Sequence, residues 1–287
     1  MKKIIFALFA AVMALCGVNK AMAWGTVGHD VAAYIAEQHL TPEAKEKCRH
    51  YLHHTLPYYA MWMDYWRGVK EFELINNGHS LKTTENGRKI SWEAIPSSTM
   101  GSAISTPPGR AMGHLLSALN ELGNGNYKNL PDSVVRQRLI NMIHYVADMH
   151  CPSHCGFPES IYLPSSKYDL KRNGKFANFH SFWDGSIGAW RKGWTLKKYV
   201  EKLDNVSPSE AKKWQKGLEQ NDLQKGIDSW GKGIVKRAHR AYAILPEGTD
   251  LAKLTKEQKA QVHELADESI LIGGYRLAYV LNTIFKE

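Results

Sequence analysis

Residues 143 to 154 read Ile-His-Tyr-Val-Ala-Asp-Met-His-Cys-Pro-Ser-His. His144 and Asp148 are four apart, so on a helix their side chains share one face, a turn from each other. Pro152 ends any such helix, and His154 just beyond it approaches from another direction. A second segment repeats the arrangement, with His180 and Asp184 again at i and i+4. Imidazole and carboxylate are ligands suited to zinc. One such pair alone reads as a surface ion pair or a satisfied buried histidine. Two pairs with an added histidine, set among Ile140, Met142, Ile143, Phe179, Phe182 and Trp183, point to metal ligation. A carboxylate left uncompensated among such neighbours is costly.

A third group of donors depends on processing. Lys2 and Lys3 precede an almost wholly apolar stretch over residues 4–18, and Ala21-Met22-Ala23 supplies a small-x-small cleavage pattern. The stretch is short of the roughly 20 residues that a spanning helix needs. Residues 1–23 are therefore expected to be a cleaved signal peptide that exports the chain to a periplasm or beyond the cell. Cleavage would make Trp24 the first residue of Trp24-Gly25-x-x-Gly28-His29. Its α-amine and carbonyl could chelate a metal beside His29. The amine's ordinary pKa of about 7.7–8.0 lets a metal displace its proton near neutrality.

The elements that must position these groups are mostly helical. Apolar periodicity predicts helices over 27–40, 57–72, 110–122, 132–149, 178–190, 194–204, 208–220, 222–244 and 259–285. Pro42 suits the first turn of a further helix, and Asp132 or Ser133 can cap the 132–149 helix. Residues 76–109 break the pattern with Asn-Gly and Pro-Pro-Gly turn signals, and 90–95 reads as a short strand. Residues 156–177 read as a polar loop. The expected fold is all-α, a single compact multi-helix domain over 24–287 with a turn-rich excursion at 76–109.

Composition narrows the class further. The chain has 287 residues, 44% of them apolar, which excludes a disordered or collagen-like protein. No later run is apolar for long enough to span a bilayer, so no stable membrane insertion is expected. The formal charge of +9 falls to +6 when Lys2, Lys3 and Lys20 leave with the leader. That modest excess favours anionic partners without reaching a nucleic-acid-coating density. Cys48, Cys151 and Cys155 remain after cleavage. Cys151 and Cys155 are close enough in sequence to pair, and the sequence leaves their state open.

In order along the chain stand Trp24-Gly25-x-x-Gly28-His29, Trp62-Met63-Asp64, His79, His144-x3-Asp148-x5-His154 and His180-x3-Asp184. This ordered set resembles the zinc-dependent single-strand nucleases of fungi and the bifunctional nucleases of plants, within the superfamily of zinc-dependent phospholipase C. The resemblance runs from Trp24 to about Asp184 and implies three Zn2+ ions. It assigns Asp64, His79, His144 and Asp148 to the first, and His154, His180 and Asp184 to the second. The third falls to Trp24, His29 and Asp148. It also implies that Asp64 orients or deprotonates the attacking water. No convincing Ser-His-Asp set competes with this chemistry.

The resemblance implies a single-stranded DNA and RNA endonuclease with 3′-nucleotidase activity that leaves 5′-phosphates. Nucleic acid or nucleotide is then the substrate, and no protein partner is implied. The alternative is a phospholipase C-like lipid hydrolase, and a metal-binding protein without catalysis is a third reading. Asp184, where the lipases carry Glu, and the long interval from His154 to His180 favour the nuclease. Ser80 stands where fungal members carry a base-stacking aromatic, so stacking would fall to Tyr65, Trp66, Phe157 or Tyr168. Lys167, Lys171, Arg172 and Lys175 form a basic loop suited to guiding a phosphate backbone.

Overall fold

The computed structural model describes residues 24–65, 81–83, 111–191, 193–215 and 223–286. Helix α1 (Gly25–Gln38) buries Val31, Ala32, Ile35 and Ala36, the face its periodicity predicts. In α2 (Pro42–Leu52), Pro42 occupies the first turn and Thr41 Oγ1 accepts from Ala44 N. The helix expected over 57–72 is broken. It forms α3 (Leu56–Ala60) and then α4 (Trp62–Tyr65), separated at Met61, and the remainder lies outside the described residues. The turn-rich stretch also lies largely outside them, the expected strand at 90–95 included. What is described there is β1 (Leu81–Lys82).

Helix α5 (Ala111–Leu122) leads to α6 (Asp132–His150), the central element, whose residues from Arg138 to His150 are all buried. Its start corrects the expected cap. Pro131 takes the N-cap position with no side-chain hydrogen bond, and Asp132 is the first helical residue. A carboxylate there still favours the positive end of the helix dipole without capping it. Pro152 ends the helix, as expected, and opens a single 3-10 turn, Pro152–His154, before β2 (Cys155–Gly156) pairs in parallel with β1.

The loop expected over 156–177 is partly a hairpin. Strands β3 (Asp169–Arg172) and β4 (Lys175–Asn178) pair antiparallel. Asn173 and Gly174 between them have φ values of 53° and 75°, the double positive-φ turn that Asn-Gly favours in a two-residue hairpin loop. The hairpin runs straight into α7 (Phe179–Trp190), which Asn178 caps by accepting from Ser181 N at 2.7 Å. Then follow α8 (Leu196–Leu203), α9 (Pro208–Gln215), α10 (Leu223–Ile244) and α11 (Lys256–Ile284). A capping box between Thr255 and Gln258 starts α11 three residues ahead of the expected 259.

The fold is all-α with two small two-stranded sheets among the described residues. One apolar cluster joins α2, α5, α6 and the end of α11; another gathers Trp24, Ile35, Phe179, Trp183, Tyr199 and Tyr242. Between them meet the start of α1, the end of α6 and the start of α7. No described helix is long and apolar enough to cross a membrane.

Candidate metal centre

Helix α6 supplies His144 and Asp148 on one face, both fully buried. His144 Nδ1 donates to the carbonyl of Ala60 at 2.8 Å. That bond fixes the tautomer and leaves Nε2 as the coordinating nitrogen. His144 Nε2 lies 3.1 Å from Asp148 Oδ2 and 4.0 Å from Asp64 Oδ1, the latter presented by α4. From α1 comes His29, fully buried, its ring stacked on that of His144 with centroids 4.4 Å apart. Its Nε2 lies 3.0 Å from Asp148 Oδ1. Each oxygen of Asp148 therefore faces a different imidazole, the arrangement of a bridging carboxylate.

These separations suit a tetrahedral ion. Two ligands at about 2.0–2.1 Å from zinc, at a tetrahedral angle, stand about 3.3 Å apart. His29, His144 and Asp148 bring their donor atoms together as one potential metal group. Both ring nitrogens of His29 are buried without a hydrogen-bond partner, which suits a metal donor and ill suits a structural histidine.

Next to this group, His154, His180 and Asp184 converge. His180 Nε2 lies 3.3 Å from His154 Nε2, and His180 Nδ1 lies 2.9 Å from Asp184 Oδ2. The structure adds a residue outside the expected ligand set. Cys151 forms a potential metal group with His154 and Asp184. Its sulfur stands 4.0 Å from Asp184 Oδ1 and 3.1 Å from Ser153 Oγ, and it accepts from the Trp24 backbone N–H. A cysteine between two ligands of one short segment was the available signal. Cys48, Cys151 and Cys155 are all buried free thiols, so the open question of a Cys151–Cys155 bridge resolves against it.

Three acids, Asp64, Asp148 and Asp184, are buried close enough that the charges of the first two act on the third. Burial raises the Asp184 carboxyl; the His180 contact opposes this and the neighbouring acids add to it, leaving it at about 6. For His144, burial works against the charged form, but Asp148 and Asp64 outweigh it and lift the imidazole to about 9. Burial and the charge of Asp184 hold the Cys151 thiol protonated, well above its usual range. Acids this crowded are stable in ionised form only beside cations, which fits a polynuclear metal site.

Trp24 enters at the edge of this site. It is almost fully buried, and its indole nitrogen donates to Ala147 O at 3.0 Å, next to Asp148. Gly28 gives Trp24 its room, since a Cβ there would lie 2.8 Å from Trp24 Cβ and something would have to shift. Gly25 (φ 52°) likewise has the Asp184 carbonyl 2.9 Å from where its Cβ would be. The glycines of the Trp24-Gly25-x-x-Gly28-His29 motif thus allow Trp24 to lie on α1 and α1 to approach Asp184.

Of the remaining expected residues, His79 and Trp66 lie outside the described residues. Tyr65 is exposed beside Asp64. Tyr168 packs in the core against Phe179 and Tyr242, and Phe157 packs on Tyr162 and His239. Lys171 pairs with Asp169 within its own hairpin. Arg172 lines an open cavity of about 650 Å³ with Lys175, Phe176, Ser181 and Phe182. That cavity flanks His180 in sequence, and Phe176 on its wall is 60% exposed. Phe176 stands outside the expected stacking set, although its segment also holds Phe157 and Tyr168.

A model of the S1/P1 nuclease family matches residues 24–286. Nuclease S1 of Aspergillus oryzae is 23% identical over 283 residues, covering 92% of each chain. Endonuclease 1 of Arabidopsis thaliana is 22% identical over 98% of this chain and 93% of its own. Nuclease P1 of Penicillium citrinum is 22% identical over 91% of this chain and 97% of its own.

Proposed function

The chain belongs to the S1/P1 nuclease family, a hydrolase of phosphodiester bonds, and we propose that it is an exported three-zinc enzyme acting on single-stranded nucleic acid and 3′-nucleotides. The observation that carries this reading is Asp148, whose two oxygens face His29 and His144 separately at 3.0 and 3.1 Å. Asp64, His79, His144 and Asp148 would hold one ion, and His154, His180 and Asp184 a second. The Trp24 amine and carbonyl, His29 and Asp148 would hold the third. Zinc, when bound, supplies Lewis acidity toward water and phosphoryl oxygen.

The chain's own groups do the remaining work. Ala60 O orients His144, and the hydrogen bond from Trp24 to Ala147 O anchors the first residue against α6. Asp64 is the base that accepts the proton of the attacking water. Arg172 and Lys175 draw the phosphate backbone along the hairpin, and Phe176 offers a face for a base. Export is supported by the leader pattern and by a family match that begins at Trp24, the residue cleavage would expose.

The test uses mature protein exported through its own leader and incubated with single-stranded DNA, RNA, a 3′-mononucleotide and phosphatidylcholine, with and without chelator. Nucleic acid cleavage to 5′-phosphates, lost on chelation and restored by zinc, is expected, with about three zinc ions per chain by elemental analysis. Chelator-resistant cleavage removes the metal reading. Release of phosphocholine with intact nucleic acid places the chain on the lipase arm.

A further inference from the structure

Away from the carboxylate–imidazole centre, two arginines are buried side by side with no acid paired to either among the described residues. Arg237 in α10 is 7% exposed and Arg276 in α11 is 6% exposed. Among the described residues Arg276 has neutral partners: Nη1 donates to His150 Nε2 at 2.9 Å, Nε donates to Trp214 O at 3.0 Å, and the guanidinium lies over the ring of Trp230. Arg237 forms no ion pair among the described residues, and its Nε and Nη2 are buried without a hydrogen-bond partner. Glu268, whose charge acts on Arg237, is bonded to Arg240 at 2.8 Å instead.

Both guanidinium groups face one bare spot. At Gly233, one turn before Arg237, the position a Cβ would occupy lies 3.6 Å from Arg237 Nη1, 3.9 Å from Arg276 Nη2 and 4.0 Å from Arg237 Nη2. Beyond the backbone of its own helix turn and its chain neighbours, those three nitrogens are the nearest atoms to that point. A side chain at this position would stand in van der Waals contact with both guanidinium groups. Guanidinium is a poor candidate for neutralisation by proton loss, and two like charges withdrawn from water need compensation from outside the pair. Burial pulls Arg237 down to about 10, and burial together with the charge of Arg237 pulls Arg276 down as well.

We propose that Arg237, Arg276 and Gly233 form a binding site for a small tetrahedral oxyanion, free phosphate or the terminal phosphate of a mononucleotide. A phosphate dianion balances two guanidinium charges, where a carboxylate would balance one. Its oxygens match the forked donors of arginine. The buried Nε and Nη2 of Arg237 supply donors that no described residue uses.

Calorimetric titration of the zinc-loaded protein with inorganic phosphate, and separately with 5′-AMP, compares wild type with Gly233→Ala and Arg237→Gln. Gly233→Ala places a methyl group 3.6 Å from its nearest neighbour on a helix, so it keeps the fold and serves as the variant in which lost binding is not lost structure. Circular dichroism and the nuclease rate check that point. Wild type is expected to show one phosphate-binding event that survives chelation. Arg237→Gln should weaken it by about tenfold or more, as loss of a charge-assisted bond implies, and Gly233→Ala should weaken it by setting a methyl group against the same nitrogens. If 5′-AMP loses the same event, the site accepts a nucleotide phosphate; if only inorganic phosphate binds there, free phosphate is the ligand. Equal isotherms for wild type and both variants, or no chelator-resistant event in wild type, overturn the proposal.

Discussion

Gly28→Ala separates the cost of a misplaced site from the cost of a damaged fold. On helix propensity alone, alanine at this position of α1 is favoured by about 0.8–1.0 kcal/mol. The added Cβ would lie 2.8 Å from Trp24 Cβ and 3.3 Å and 3.4 Å from ring carbons Cγ and Cε3. Ordinary carbon contacts are about 3.5–4.0 Å, so Trp24 or α1 must yield by roughly 0.7–1.2 Å. Overpacking of that kind costs about 1–3 kcal/mol. Trp24 cannot retreat freely, because its indole is bonded to Ala147 O. The two effects nearly offset, leaving a net loss of about 0–2 kcal/mol, or a few degrees in Tm. Activity should fall much further, by about 100-fold, since a 1 Å displacement of a catalytic group costs that much, and about one zinc per chain should be lost. Gly185→Ala on α7, where a Cβ meets nothing within 4 Å, is the control and should be neutral or slightly stabilising. Assays are thermal unfolding, elemental zinc and initial rate on single-stranded DNA. A Gly28→Ala protein with full zinc and a wild-type rate refutes the placement of Trp24 at the centre.

Asp148→Asn should remove two zinc ions and not one, because each oxygen serves a different imidazole; elemental analysis showing a single ion lost would contradict the bridging role. Cys151→Ala removes a group that touches Asp184 Oδ1 and takes the Trp24 N–H. Zinc retention in a competition titration should weaken about 10–100-fold, and Cys151→Ser should recover part of it. Metal-free protein should lose stability as pH rises above 7. Asp184 at about 6 and His144 at about 9 both sit above the ordinary values of 3.8 and 6.5. Each therefore contributes stability below its unfolded pKa, lost as pH climbs through the folded one: about 4 to 6 for Asp184 and about 6.5 to 9 for His144. Urea midpoints in chelator should fall from pH 7 to pH 9, through the His144 range; below pH 7 the buried His150, held well below its ordinary value, acts against Asp184. Zinc-loaded protein should not follow them, since metal affinity rises as the ligands shed protons. A chelated midpoint that rises from pH 7 to pH 9 would contradict the shift assigned to His144.

How much of this was legible beforehand follows from the range of the interaction concerned. His144 with Asp148, and His180 with Asp184, were visible because helical spacing alone places each pair on one face. Their mutual approach required only that α6 and α7 meet, which the apolar residues around both motifs already suggested. Asp64 is different. Its position 4.0 Å from His144 Nε2 depends on a helix breaking at Met61 so that α4 turns its carboxylate inward, and a continuous apolar pattern over 57–72 gives no sign of that break. The hairpin was missed for a local reason. Asn173-Gly174 is a strong turn signal, but flanking strands of four residues each carry too little alternation to stand out from a polar loop.

Cys151 shows where spacing reaches its end. One short segment holds Asp148, His150, Cys151 and His154; helical spacing and the family resemblance pick out Asp148 and His154, and neither says which way Cys151 points. The structure divides them by direction. His150 is fully buried and turns away, Nδ1 donating to Val146 O and Nε2 accepting from Arg276. Cys151 turns the other way, toward Asp184 and the Trp24 N–H. Two adjacent residues at the end of α6 thus serve opposite sides of the molecule, one the carboxylate–imidazole centre and one the buried arginines. A helix ending at a proline makes that division possible, because His150 keeps helical geometry while Cys151, at ψ 123°, has already left it.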